Sequence, residues 1–91
     1  MKPKFPIGQL VSTPAALEAL SQSSQTPQEF VRRHQAGDWG QVSKADGKAN
    51  DVALIDGSRI LSAYKTLKGE KIWIITEADR SSTCILLPSE Y

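Results

Sequence analysis

The sequence predicts an α+β fold in which two to three N-terminal helices pack on a C-terminal antiparallel sheet of three to four strands. Signals typical of helices end near Gly57, and from Ser58 onward three segments rich in β-branched and aromatic residues follow one another. The connectors between these segments are short, which makes the segments antiparallel neighbours. Helices followed by strands are typical of α+β domains with the helices on one sheet face.

The chain has 91 residues, which supports a single domain over residues 1–91 with one modest core. A chain of this length cannot hold a cofactor domain beside a substrate domain, so no cofactor is expected. The hydrophobic fraction is 40% and the charged fraction 23%, a balance typical of folded proteins rather than disordered ones. The formal net charge of +1 provides no global attraction for nucleic acid or anionic lipid.

The chain contains one cysteine, Cys84, and one histidine, His34. An intramolecular disulfide is therefore impossible, and a structural zinc site or other metal site is not expected. Polar and proline residues interrupt every apolar run near the N-terminus, so we predict neither a signal peptide nor a membrane span. A cytoplasmic location and no membrane partner are the resulting expectations.

The N-terminal third contains one strand signal and two helix starts. Ile7–Val11 is predicted to be a short strand. Thr13 can cap a helix whose first residue is Pro14, because proline fits the first helical position. Thr26 precedes a second helix, and Glu29 stands three residues later, which predicts a capping box.

A third helix is predicted to begin after Ser43, with Asp46 three residues on, and to end near Gly57. Its predicted core face consists of Ala45, Ala49, Val52 and Ala53.

Three strands are predicted over Arg59–Thr66, Lys71–Glu77 and Thr83–Leu87. In the middle segment the large apolar residues alternate between the two faces. This strand is therefore expected at the centre of the sheet with both faces covered.

The densest polar cluster, residues 76–83, lies between two predicted strands. Loops at strand ends often carry functional groups. The guanidinium of Arg80 can clamp a phosphate, and the carboxylate of Glu77 can exchange a proton. The alternative is a solvated turn in which Arg80 pairs with Asp79 or Glu77.

The first predicted hairpin carries a local excess of positive charge. Between residues 59 and 71 its bases are Arg59, Lys65, Lys68 and Lys71, against the single acid Glu70. With Tyr64 and Trp73 nearby, these basic residues can form a surface on which a single-stranded nucleic acid stacks its bases. Alternation restricts this idea, because it places Tyr64 on the opposite face from Arg59 and Lys65. The alternative is core aromatics with edge lysines that discourage aggregation.

Three further residues have two interpretations each. His34, near the end of the second helix, is either a partner of the helix dipole or a catalytic base. Cys84 is predicted to be a small core residue. Trp39 is either a core anchor or an exposed contact for a protein partner.

Most of the chain after Phe30 resembles a set of short bacterial proteins that often occur on plasmids and phages. The residues that carry the resemblance are Gly37–Gly40, Arg59–Tyr64, Ile72–Thr83 and the tail Leu87–Tyr91. This occurrence makes an inhibitor of another protein a natural alternative to an enzyme.

The last third is also similar to the end of barnase-like microbial ribonucleases, on the order Arg59, hairpin, apolar strand, polar loop with Arg80, then Thr83. The resemblance implies a phosphate-stabilising role for Arg59 and places Arg80 where that family has its general-acid histidine. Ala45 lies about where the family has its general-base glutamate. The chain departs from the family at both positions, and an arginine does not readily release a proton.

Two hypotheses follow. In the first, the protein binds or cleaves RNA on a ribonuclease-like sheet; the catalytic candidates are Arg59, Glu77 and Arg80, and the RNA-binding candidates are Lys65, Lys71 and Thr83. In the second, a non-catalytic module docks on a protein partner through Trp39 and Tyr91.

Overall fold

The computed structural model describes residues 3–91; Met1 and Lys2 lie outside the described residues. The elements in chain order are β1 (Gln9–Ser12), α1 (Pro14–Gln22), α2 (Pro27–Gln35), α3 (Lys44–Asp56), β2 (Ile60–Lys65), β3 (Lys71–Thr76), β4 (Ser82–Leu86) and a short 3-10 turn (Pro88–Glu90). The predicted α+β class is confirmed. No helix within the described residues is both long enough and apolar enough to span a bilayer.

The four strands form one sheet in the order β1-β4-β3-β2. β2, β3 and β4 make the predicted antiparallel meander, with β3 in the interior. β1 instead runs parallel to β4, so the sheet is mixed rather than wholly antiparallel. In chain order the three helices come between β1 and the meander. A parallel pair of strands requires such a long crossover in place of a hairpin.

The first strand begins later than the predicted range Ile7–Val11, at Gln9. Gly8 has a φ of +62°, and a Cβ atom there would lie 2.3 Å from the carbonyl oxygen of Ser81 and 2.4 Å from that of Arg80. Only glycine tolerates this left-handed backbone at such close approach. The chain therefore turns at residue 8 before it pairs with β4.

Side-chain caps secure the starts of α1 and α3. The Thr13 hydroxyl accepts a hydrogen bond from the Ala16 N–H at 3.2 Å, and the Ser43 hydroxyl accepts one from the Asp46 N–H at 3.1 Å. Each cap satisfies a backbone donor that has no partner inside its helix. Both predicted helix starts are confirmed.

The second helix is confirmed, but its predicted capping box is wrong. Thr26 makes no side-chain cap, and Glu29 accepts a hydrogen bond from the Gln25 side chain at 2.7 Å instead. Pro27 occupies the first turn, where its missing N–H removes one donor that would need a cap.

The core face of α3 differs from the prediction. Three of the four expected core residues are exposed: Ala45, Ala49 and Val52. The buried residues are Asn50 and Ala53. The Asn50 amide donates to the Leu61 carbonyl at 2.7 Å and accepts from the Leu61 N–H at 3.1 Å. This pairing turns α3 so that Asn50 closes the outer edge of β2.

A second contact closes the same edge at Ala63, two residues further along β2. The Ala63 N–H donates to the Trp39 carbonyl at 3.1 Å, and the Gln41 N–H donates to the Ala63 carbonyl at 2.6 Å. Unpaired strand edges invite association with other chains. Along Leu61 and Ala63 that edge is occupied.

The main core lies between the sheet and the helices α1 and α2. Its buried members are Ala16, Leu20, Phe30, Val31, Tyr64, Ile72, Ile74 and Ile85. A smaller cluster beside α3 contains Phe5, Trp39, Ala53 and Ile60. All of the strand residues in both clusters point to the helix side of the sheet.

Candidate functional site

The two faces of the sheet have different surroundings. Ser62 pairs with Ile74 and Tyr64 pairs with Ile72 on the face that the helices cover. Because successive side chains alternate, the residues between them point the other way. This opposite face, called the open face below, consists of Gln9, Val11, Leu61, Ala63, Lys65, Lys71, Trp73, Ile75, Ser82, Cys84 and Leu86.

The expected burial of both faces of β3 is met fully on the helix side and in part on the open face. On the open face Ile75 is buried, whereas Trp73 is half-buried. Within residues 3–91, the ring that packs on Trp73 is that of Tyr91, with ring centroids 5.6 Å apart and planes at 67°. Part of the Trp73 ring is therefore accessible in the middle of the sheet.

Two lysines face each other at the end of the β2–β3 hairpin. Lys65 and Lys71 are direct cross-strand partners, and both are exposed. Like charges directly opposite each other destabilise a sheet. The ion pair found in the described part of the chain joins Arg33 to Asp38, so neither lysine has an acidic partner there. An anion bound between the two ammonium groups would relieve this repulsion.

A cleft of about 310 Å³ adjoins the open face between α3, the sheet and the C-terminal tail. It is lined by Asp46, Ala49, Asn50, Arg59, Leu61, Trp73 and Tyr91. The Arg59 guanidinium donates to the Tyr91 hydroxyl and lies 5.5 Å from the centre of that ring. Arg59 and Tyr91, predicted for two different functions, therefore belong to one site.

Arg80 is held in place by backbone carbonyl groups. Its guanidinium donates to the carbonyl oxygens of Ser58 at 2.6 Å, Ala53 at 3.0 Å and Glu77 at 3.1 Å. The same group lies 5.7 Å from the centre of the Phe5 ring, and the residue has a φ of +61°. Arg80 thus joins the end of α3 to the β3–β4 loop, with most of its donors already used.

The three predicted catalytic residues do not line one cleft. Arg59 lines the cleft beside the open face, which contains neither Glu77 nor Arg80. The Arg80 guanidinium lies next to Phe5, a member of the core cluster on the helix side. Glu77 is exposed, and its backbone carbonyl contacts Arg80.

Thr83 belongs to a buried chain of hydrogen bonds. Its hydroxyl donates to the Ile7 carbonyl at 2.8 Å and lies 2.7 Å from the Thr76 hydroxyl. The two nitrogens of His34 continue the chain, Nε2 to Thr76 at 2.9 Å and Nδ1 to Ser62 at 2.6 Å. Thr83 is fully buried, so it cannot contact an RNA on the surface.

The direction of this chain follows from its fixed end. Because Thr83 donates to a carbonyl, it accepts from Thr76, which in turn accepts from Nε2–H of His34; Nδ1 then accepts from Ser62. This arrangement requires the neutral imidazole. Burial, and secondarily the charge of Arg80, lower the pKa of His34 to about 4.

His34 therefore has a structural role that neither earlier interpretation included. The sequence signal for this role is a set of polar residues that alternate with isoleucines at strand positions facing the helices: Ser62, Thr76 and Thr83. Buried polar groups require partners. His34 links Ser62 of β2 to Thr76 of β3 directly, and Thr76 in turn contacts Thr83 of β4.

Trp39 lies in the core rather than at the surface. It is 8% exposed, and its indole N–H donates to the Asp51 carboxylate at 3.1 Å. The neighbouring Asp38 pairs with Arg33 at 2.7 Å, and this hydrogen bond lowers the pKa of the Asp38 carboxyl. The ring of Trp39 is thus not available to a protein partner.

Nothing in the described range 3–91 groups three or more metal-ligating side chains. Cys84 is half-buried on the open face, and burial raises the pKa of its thiol. A thiol with a raised pKa is a poor metal ligand and a poor nucleophile near neutral pH.

Comparison with known proteins gives no match: no family model matches this chain, and neither do curated proteins or solved structures. The geometry of the open face and of the adjoining cleft is therefore the basis on which a function is assigned.

Proposed function

We propose that this protein binds single-stranded RNA on the open face of its sheet. The observation that carries the proposal is the pair Lys65 and Lys71. These lysines oppose each other across the two strands, and neither forms an ion pair with an acidic residue in the range 3–91. Phosphate is the anion that suits such a pair, because each ammonium group contributes a charge-assisted hydrogen bond. Arg59 adds a third cation at the far end of the same face.

The aromatic groups lie where bases would stack. Trp73 lines the cleft two residues along β3 from Lys71, and Tyr91 is 66% exposed beside it. Stacking of a base on an accessible aromatic ring contributes about 1–3 kcal/mol and tolerates any sequence. The combination of a charged track with accessible rings is typical of single-strand binding surfaces.

Binding is better supported than cleavage. Most of the donors of Arg80 are engaged by three carbonyl groups, and Glu77 lies outside the cleft that contains Arg59. The single histidine, His34, is fully buried and neutral. General acid–base catalysis needs a titratable group within reach of the substrate. The open face instead offers cations and rings, which suffice for binding.

Fluorescence anisotropy with a labelled RNA oligonucleotide at about 50 and about 200 mM salt tests the proposal. Three phosphate contacts predict a slope of about −2 for log affinity against log salt, or a loss of about 20-fold. Lys71→Gln should make the slope shallower by about 0.7. Arg32→Gln, which removes one exposed charge from α2 on the other side of the sheet, is the matched control. Absence of salt-sensitive binding, or equal effects of both variants, would contradict the proposal.

A further inference from the structure

The cleft beside the open face contains two opposite charges that do not meet. Asp46 and Arg59 both line it, yet no ion pair joins them in the described part of the chain. The Asp46 carboxylate also makes no hydrogen bond to any described side chain or backbone group. Arg59 uses one guanidinium nitrogen for Tyr91. Both groups are therefore free to bind a ligand.

A ligand that fits this cleft has a planar part, an anionic group for Arg59 and hydrogen-bond donors for Asp46. The ring of Tyr91 and the half-buried indole of Trp73 line the same cleft and provide flat apolar surface there. Arginine favours phosphate, and a carboxylate accepts only from N–H or O–H groups. A nucleotide whose base bears an exocyclic amino group meets all three conditions.

We infer that the cleft is a base-selective subsite in which Asp46 accepts from the amino group of a nucleobase that stacks on Tyr91, while Arg59 holds the neighbouring phosphate. The inference rests on the proposed RNA binding and adds a preference to it. Cytosine presents an amino group at the position where uracil presents a carbonyl oxygen. A carboxylate attracts the first and repels the second, so the subsite favours cytosine over uracil.

Asp46 is well placed for this role by the start of α3. Its backbone N–H is held by the Ser43 cap, and it lies in the first turn of the helix. The cap fixes the main chain at residue 46 and leaves the carboxylate to the cleft. Asp46→Asn keeps the size and the cap, but its amide can donate to the uracil carbonyl as readily as it accepts from cytosine.

The experiment compares oligocytidine with oligouridine of equal length by fluorescence anisotropy at about 50 mM salt. The two differ at the base edge that Asp46 would contact. A hydrogen bond to a charged group predicts an affinity for oligocytidine about tenfold higher. Asp46→Asn should remove most of this ratio by strengthening the binding of oligouridine.

Glu18→Gln is the matched control, since it removes one exposed carboxylate from α1, outside the cleft. It should leave the ratio unchanged. Equal binding of the two oligonucleotides to the unmodified protein, or an unchanged ratio in Asp46→Asn, overturns the inference while RNA binding stands. Absence of binding to either oligonucleotide instead contradicts the proposed function itself.

Discussion

The buried imidazole of His34 should make the protein less stable in acid. The imidazole is fully buried, and two aromatic rings pack beside it: the ring centres of Phe5 and Trp39 lie 5.1 and 6.0 Å from that of His34. Protonation places a charge in this core and reverses the hydrogen bond from Ser62 to Nδ1. The folded state therefore resists the proton that the unfolded chain accepts.

The size of the loss in unfolding free energy follows from the pKa values of His34 in the unfolded and folded states. In the unfolded chain the imidazole has a pKa of 6.5, and in the folded state about 4. The folded pKa is lowered, so the unfolded state binds more protons between these values, and stability falls as the pH falls through that window. The loss is about 2 kcal/mol at pH 5 and reaches about 3 kcal/mol below pH 4.

Urea unfolding followed by tryptophan fluorescence between pH 7.5 and pH 4 measures this loss. Asp38 and Asp79, whose pKa values are lowered in the folded state, add a loss of the same sign at lower pH. His34→Gln separates the contributions, because it keeps hydrogen-bonding capacity without the titration. This variant should be less stable at pH 7.5 yet lose about 3 kcal/mol less on acidification. Parallel pH profiles for the two proteins would refute the reasoning.

Three substitutions test other parts of the structure by urea unfolding. Lys65→Glu should stabilise the protein by about 0.5 kcal/mol, because it gives Lys71 an opposite charge across the strands, and should weaken RNA binding; a destabilised variant would count against the like-charge pair. Gly8→Ala should cost about 3 kcal/mol or prevent folding, because a Cβ there meets two carbonyl oxygens; an effect within about 0.5 kcal/mol would contradict the turn. Asn50→Ala should cost about 2 kcal/mol, because it leaves both backbone groups of Leu61 without their partner; a neutral result would show that water replaces the amide.

Local signals predicted the helices and the meander well. Thr13 and Ser43 cap the helices that follow them, as their positions indicated. The parallel pairing of β1 with β4 could not be predicted in the same way, since it depends on a contact between segments about 70 residues apart. The close approach at Gly8 belongs to the same long-range contact.

The candidate site was predicted in part. Arg59 and Lys65 lie on the accessible side of the sheet, where alternation placed them on the opposite face from Tyr64, and Lys71 lies there as the cross-strand partner of Lys65. Thr83 is buried, and Arg80 binds carbonyl groups. Nothing in the sequence indicated either outcome. The register of the sheet decides that Thr83 faces the helices, and the packing of the loop decides which groups surround the Arg80 guanidinium.

The rotation of α3 shows the same limit. The apolar pattern favoured a face centred on Ala49, whereas the hydrogen bonds of Asn50 to a strand edge determine the face that packs. A buried polar residue with a specific partner outweighs a few small apolar residues, since leaving its partner groups unpaired costs more than exposing alanine. That rotation also brings Asp46 to the cleft.

Titration of the ¹⁵N-labelled protein with oligocytidine, followed by amide NMR shifts, tests the central claim most directly. RNA bound on the open face should shift the signals of Lys65, Lys71 and Trp73, including the Trp73 indole N–H, and leave those of Arg32 and Arg33 on α2 unchanged. Shifts confined to α2, or no shifts at concentrations that saturate a nucleic-acid site, would contradict it.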